Sequence, residues 1–304
     1  MEEGTGAVTV ASTSSPAATA PAADATAGPA TSRTGGSRIT RLAGRFGLRL
    51  VVPVVILVSW YGLSQSEIGS LFVAAPANAF ARVFEDYFST DASRFFLGDA
   101  TFEQLIPSVY RALAGLLLAI VVGVGVGVAL GMNRVLTALF APLIHLGRSL
   151  PSPALLGVFF LLFGTGDSPK IFLIAFSVVW PILFNTIDGV QSVGANRMQA
   201  AQVFKIPRWD VLTRIALPGA APKIFAGVRT AMSLSLIIMI ISELQKSENG
   251  LGYQLVMTQR NFDYTGFWAV LIVLAALGVV LNIVFKAVER RALAWHRGVT
   301  AQDD

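Results

Sequence analysis

The chain has 304 residues, of which 54% are hydrophobic and 13% charged, with a mean hydropathy of +0.65 and a formal net charge of +5. Soluble domains average about 25% charged residues, so this composition expects lipid as a solvent and not only a protein core. There is no cysteine, which excludes disulfides, cysteine-ligated zinc and thiol catalysis.

Residues 1–36 are rich in Ala, Thr, Ser, Pro and Gly and hold no apolar run, which predicts disorder. Their first basic residue is Arg33, too far from the start for a cleaved signal peptide. Arg33, Arg38, Arg41, Arg45 and Arg49 lead into the first apolar run. Residues 1–47 therefore read as a disordered tail followed by a basic cytoplasmic segment. A spanning helix needs roughly 20 apolar residues. The candidates are Leu48 to Leu63, Pro107 to Met132, Leu136 to Phe163, Ile171 to Val190, Gly219 to Ile241 and Gly266 to Val288. This predicts an all-α integral membrane protein of about six spans, with a permease-like domain over 48–290 and a cytoplasmic tail over 291–304.

In the second candidate span, Gly123, Gly127 and Gly131 share a helix face and predict close helix packing. The third is interrupted at Pro151-Ser152-Pro153, which predicts a broken or sharply kinked helix. Such a break survives at membrane depth only where protein or a water-filled path covers it. A pore-lining position and a plain proline kink both fit.

Charge sets the orientation. The predicted inner segments carry the Arg cluster before residue 50, Arg134, then Arg197, Lys205, Arg208 and Arg214, and finally Lys286, Arg290, Arg291 and Arg297. The predicted outer segment 65–106 carries Glu67, Glu85, Asp86, Asp91, Asp99 and Glu103 against Arg82 and Arg94. Positive charge gathered on one side places the N-terminus in the cytoplasm. The segment 65–106 is expected to hold one or two short helices.

The stretch 194–218, GANRMQAAQVFKIPRWDVLTRIALP, is too polar for a span and too patterned for an irregular loop. Gln199, Ala200 and Ala201 open a short helical piece. Pro207 interrupts and starts a second one. Trp209, Leu212, Thr213, Ala216 and Leu217 recur at the spacing of one helix face, and Pro218 is expected to end the segment. A helix, turn and helix on the inner surface suits docking into a groove of a soluble partner, or else lying flat on lipid.

The run QAAQVFKIPRWDVLTRIALPGAAPKIFAGVR resembles the Glu-Ala-Ala cytoplasmic loop of binding-protein-dependent ATP-binding-cassette (ABC) importer permeases. TFEQLIPSVYRALAGLLLAIVVGVGVGVALG, HLGRSLPSPALLGVFFLLFGTGDSPK, WPILFNTIDGV and SELQKSENGLGYQL are similar to the nitrate, sulfonate and taurine branch of that family. The resemblance covers roughly residues 48–290. It implies a type I importer fold and a coupling helix that sits in a cleft of a separate ATPase subunit. It also implies a second permease chain and an extracytoplasmic substrate-binding protein, in a bacterial cytoplasmic membrane. ATP and Mg would be held on the ATPase, with no cofactor, metal or catalytic residue on this chain. No nucleic-acid partner is implied. Gly-x-x-x-x-Gly-Lys-Ser/Thr is absent from the sequence, in keeping with ATP held elsewhere. The solute would be a small anion such as a sulfonate, taurine or nitrate.

Ala200 and Ala201 match the motif alanines, and Leu217-Pro218 matches its usual ending. Phe204, Lys205, Pro207 and Trp209 complete the coupling loop. Gln199 stands where the family has Glu, and Lys205 where it has Gly, leaving Pro207 to make the break. These departures fit a heterodimer with a more consensus-like permease, and equally fit drift in a homodimer. Path or gate candidates are Arg148, Pro151, Pro153, Asn185, Arg229 and Glu243. Arg148 or Arg229 would attract an anion, although snorkelling or an interhelical pair is the plainer role for both. Asn185 is expected to bond across helices. Glu243 with Gly250-Leu251-Gly252 resembles the external end of the family's gate region. The alternative function is an ion-coupled secondary transporter, for which Asp188 and Glu243 are the nearest intramembrane carboxylates. A membrane-embedded enzyme is poorly supplied by His145 and His296 alone.

Overall fold

The computed structural model describes residues 38–193, 200–201 and 203–294, with side chains from Val51 onward. Gln199 and the tails 1–37 and 295–304 lie outside the described residues. Among the described residues the structure is helical, apart from turns and one isolated bridge between Phe88 and Leu97. The principal helices are α1 (Arg38–Ser64), α2 (Pro76–Tyr87), α3 (Ile106–Gly131), α4 (Arg134–Ser149), α5 (Leu156–Phe163), α6 (Ser168–Gln191), α7 (Leu217–Glu243), α8 (Leu251–Arg260) and α9 (Tyr264–Ala292).

Four continuous helical stretches are long and apolar enough to cross a bilayer: Thr101–Gly131, Ser168–Gln191, Arg208–Glu243 and Tyr264–Ala292. Two bent pairs bring the number to as many as six if each pair is counted as one span. One bends by 101° between Val51–Ser64 and Gly69–Tyr87, the other by 83° between Arg134–Ser149 and Ser152–Phe163. The second bend falls at Pro151-Ser152-Pro153, where a break is expected. Between 65 and 100, the one-turn helix Gly69–Phe72 and α2 supply the expected short helices.

One proline behaves otherwise than expected. Pro218 does not end the segment before α7; one helix runs through it from Arg208 to Glu243. A π-helical turn, Val211–Ala216, precedes it, and Leu217 N–H donates to Leu212 C=O five residues back. Pro107 follows the same design: Thr101–Leu105 forms a π-turn, and Ile106 N–H donates to Thr101 C=O. The wider turn takes up the missing N–H and the ring clash that proline brings to an α-helix. It also rotates the helix face. Leu212, Ala216 and Leu217 pack with Val128, Val190 and Ala220, while Trp209, ahead of the π-turn, is exposed.

The core is α3, α6 and α7 packed side by side. Leu116, Ala119, Val178, Ile182, Val228 and Met232 form one layer, and Ala112, Leu173, Ile174, Ile238 and Met239 another, the latter receiving Leu156 from α5. The glycine face of α3 makes this closeness possible. A Cβ on Gly123, Gly127 or Gly131 would lie 2.7–2.9 Å from Ile182, Thr186 or Val190 of α6. Capping fixes the helix starts: Asn133 accepts from Val135 and Leu136 N–H at α4, and Asp263 accepts from Gly266 N–H at α9. An aromatic layer stands beside the start of α9, where Trp60 and Trp268 stack at 4.9 Å and Trp268 Nε1–H donates to Phe72 C=O. Amphipathic aromatics favour the headgroup level of a bilayer.

Candidate functional site

The starts of α3 and α6 and the end of α7 meet at one end of the core, and a buried polar cluster joins them. Arg111 of α3 and Glu243 of α7 are 2% and 1% exposed. Arg111 Nη1–H donates to Glu243 Oε1 at 2.6 Å and to Asn249 C=O at 3.1 Å; Nε–H donates to Asp167 Oδ1 at 2.6 Å, and Nη2–H to Asn249 Oδ1. Ser108 Oγ–H donates to the Glu243 carboxylate and accepts Leu251 N–H at 2.8 Å, while Gly252 N–H donates to Glu243 Oε2 at 3.0 Å. Gly250 N–H donates to Gln104 Oε1 at 2.8 Å. The chain leaving α7 is thus folded back onto α3. Gly250 has φ +113°, and a Cβ there would lie 2.5 Å from Glu243 Cδ, so glycine is required. Away from water, both charges are matched by partners, as such burial demands.

Beside this cluster lies a cleft of about 550 Å³, lined by Asp167, Lys170, Lys246, Ser247, Glu248 and Asn249 among others. Lys170, in the first turn of α6, is 2% exposed.

The segment between α6 and α7 lies at the opposite end of these helices. Ala200, Ala201 and Val203 are helical, Phe204 N–H donates to Ala200 C=O at 2.9 Å, and Lys205 takes a left-handed φ of 51°. Lys205 itself therefore makes the turn that glycine would make without strain. Pro207 follows extended and Arg208 opens the next helix. Ala201 is buried, whereas Phe204 is 77% and Trp209 71% exposed, with Val203 beside them. Leu217 and Pro218 are half-buried at the base of α7.

The other predicted residues are scattered. Arg148, in the last turn of α4, places its guanidinium 5.6 Å from the Phe184 ring centroid of α6, and His145 also meets that ring. Pro151 and Pro153 are exposed at the bend. Four residues before Pro151, Gly147 lies against the ring of Trp180, a residue near the middle of α6. Asn185 does not bond across helices. Its Nδ2–H donates to Pro181 C=O at 2.8 Å in its own helix, because α7 approaches at Gly227 too closely for an amide to reach over. Arg229 pairs with Glu289 of α9 and lies over Phe285. Glu243 alone joins a larger polar constellation. Its partners Ser108, Arg111, Asp167 and Asn249 escaped sequence reasoning, although Arg111, a charge inside an apolar run, was a usable signal.

Residues 115–293 match the family described as the binding-protein-dependent transport system inner membrane component. The chain belongs to that family. As such it is the permease subunit of an ABC importer, a transport component embedded in a membrane. Similar proteins include a putative aliphatic sulfonates transport permease of Bacillus subtilis, 27% identical over 81% of this chain and 86% of the relative. The taurine transport system permease of Escherichia coli is 28% identical over 84% of this chain and 92% of its own. The nitrate import permease of Synechococcus elongatus is 28% identical over 68% and 74%. A chain of a solved amino acid ABC transporter aligns at TM-score 0.48 with 14% identity, over 65% of this permease and 93% of that chain. The carboxylates that a secondary transporter would use are engaged: Asp188 pairs with Lys223 of α7 at 2.7 Å, and Glu243 is held by Arg111.

Proposed function

We propose that this permease carries a small anion, such as an organic sulfonate, taurine or a nitrate-like ion, across the bacterial cytoplasmic membrane. An extracytoplasmic binding protein delivers the solute, and a separate ATPase subunit holding ATP and Mg drives the cycle. The observation that carries the reading is the exposed Val203, Phe204 and Trp209 on the segment joining α6 and α7. Large apolar side chains on a short, strained turn next to charged residues suit a pocket in a soluble partner. The two helices flanking this segment belong to the tightly packed core, so a push on it is delivered to α6 and α7 directly. The positive-inside pattern supports a cytoplasmic position for the segment and the N-terminus.

A second permease chain, identical or different, faces the α4–α5 bend. Leu139, Leu143, Leu146 and Leu161 are exposed on these helices, and the irregular backbone around Pro151 and Pro153 follows Gly147, which lies against the Trp180 ring of α6. Lipid does not satisfy such backbone; a partner chain or a water-filled path does. Arg148 beside the bend is the cation in position to meet the solute, Asn185 lies where α6 meets Gly227 of α7, Arg229 ties α7 to α9, and Glu243 anchors the external end of the gate. Closure of the ATPase dimer favours one arrangement of the permease pair and its reopening the other, each by differential affinity.

The test is uptake by proteoliposomes holding the permease, its ATPase and its binding protein. Radiolabelled taurine, ethanesulfonate and nitrate are offered in turn. Accumulation of at least one, requiring ATP on the ATPase side and binding protein on the other, is expected. Uptake driven by a proton or sodium gradient without ATP would refute the reading.

A further inference from the structure

Among the described residues, Lys170 is the one charged side chain more than nine-tenths buried that makes neither a hydrogen bond nor an ion pair. An ammonium has three donors to satisfy; the Lys170 side chain is buried, but its Nζ is not sealed off and opens to the cleft, where a ligand can accept from it. Four charged groups surround it electrostatically: Arg111, Glu243, Asp167 and Glu248. Glu243 already spends both oxygens on Arg111, Ser108 and Gly252 N–H, and Asp167 Oδ1 receives Arg111 Nε–H. These carboxylates offset the charge of Lys170 without accepting its protons.

Lys170 lines the cleft described above, and so does Ser247, whose buried hydroxyl has no hydrogen-bond partner. The first turn of α6 points its N–H groups to the same end. The lining carries three cations, Arg111, Lys170 and Lys246, against two carboxylates, Asp167 and Glu248.

We propose that this cleft is a binding site for a singly charged oxyanion, a sulfonate in the first instance, held by the Lys170 ammonium and the Ser247 hydroxyl. This rests on the importer reading, because the cleft opens at the end of the core opposite the ATPase-facing segment. The site meets the solute as it leaves the binding protein. The near balance of lining charge suits a monoanion over a dianion, and the carboxylate rim keeps the cleft from collecting anions at large. The site is separate from Arg148, which lies over Phe184 in the second half of α6, whereas Lys170 is in its first turn.

The experiment uses the full permease purified with its ATPase in nanodiscs, without binding protein, and titrates ethanesulfonate calorimetrically, with inorganic sulfate and ethylammonium as comparisons. Saturable ethanesulfonate binding is expected, stronger than for either comparison. A charge-assisted hydrogen bond contributes about 1.5–3 kcal/mol, so Lys170→Met should weaken binding about tenfold or more. Lys170→Arg should retain most of it. Ser247→Ala, on a surface loop, should weaken it about threefold, and carries the test if Lys170→Met does not fold. Unchanged binding in both Lys170→Met and Ser247→Ala would overturn the proposal. So would absence of binding in a wild-type complex that still performs ATP-dependent uptake. Absence of that uptake itself would overturn the importer reading instead.

Discussion

Replacing Glu243 by Ala removes the acceptor that ties the end of α7 to the start of α3. Arg111 and Glu243 are both almost wholly buried, and their contact is 2.6 Å. Breaking such a pair on one side costs about 3–5 kcal/mol, because the remaining charge stays buried. Ser108 Oγ–H and Gly252 N–H also lose their acceptor, at about 1 kcal/mol each. Arg111 keeps Asp167 and Asn249, which offsets part of the loss, so about 4 kcal/mol is expected. At about 2–4 °C per kcal/mol for a chain of this size, the thermal midpoint should fall by about 8–16 °C. The assay is intrinsic-fluorescence melting of the purified permease in one detergent at one scan rate, since membrane proteins unfold irreversibly. Glu243→Gln keeps the shape and should cost less. Combined with Arg111→Gln it should be clearly less than additive, with a coupling of about 1–3 kcal/mol. A midpoint for Glu243→Ala within about 2 °C of wild type, or strict additivity in the double variant, would refute the assignment of this cluster as the staple of the external end.

Three further outcomes follow from particular contacts. Gly127→Val would place a Cβ 2.7 Å from Thr186 Cβ and should destabilise the core by about 1–3 kcal/mol, whereas Gly125→Val, with open space around it, should leave the melting midpoint nearly unchanged. Lys205→Gly relieves a left-handed backbone and should stabilise the fold by about 1 kcal/mol, while Lys205→Val should lower the midpoint in the same assay. Phe204→Ala and Trp209→Ala alter exposed side chains, so each should leave the midpoint within about 2 °C. Each should nevertheless weaken ATPase binding in a pull-down by about 2 kcal/mol or more, the loss typical of an interface anchor; unaltered binding in both variants would remove the segment from the coupling interface.

The sequence made the spans legible because length and hydropathy suffice for that: each of the six apolar runs corresponds to a helix or to a bent pair of helices. Pro151 and Pro153 read correctly as a break, since two prolines one residue apart leave the chain no helical route. Pro218 did not behave as a terminator, because a π-turn ahead of it absorbs the ring, as another does ahead of Pro107, and nothing in local composition announces a π-turn. The same turn separates Trp209 from the face of Leu212 and Ala216. The glycine face of α3 was readable from spacing alone. Pairing was not: Arg111 and Glu243 meet across 132 residues of sequence, and each looks like an isolated charge until the ends of α3 and α7 are brought together. Asn185 failed for a related reason, since the closeness of Gly227 that denies it a cross-helix bond is a tertiary fact.

The proposed drive is an ATPase seated on the segment between α6 and α7. The most direct measurement is purification of the permease from native membranes in mild detergent, with mass spectrometry of the chains that accompany it, for wild type and for a Phe204→Asp/Trp209→Asp double variant. An ATPase subunit in stoichiometric amount with wild type, and its loss from a double variant that melts normally, is the predicted result. A wild-type preparation that is intact yet carries no ATPase, or a double variant that retains it in full, would contradict the account.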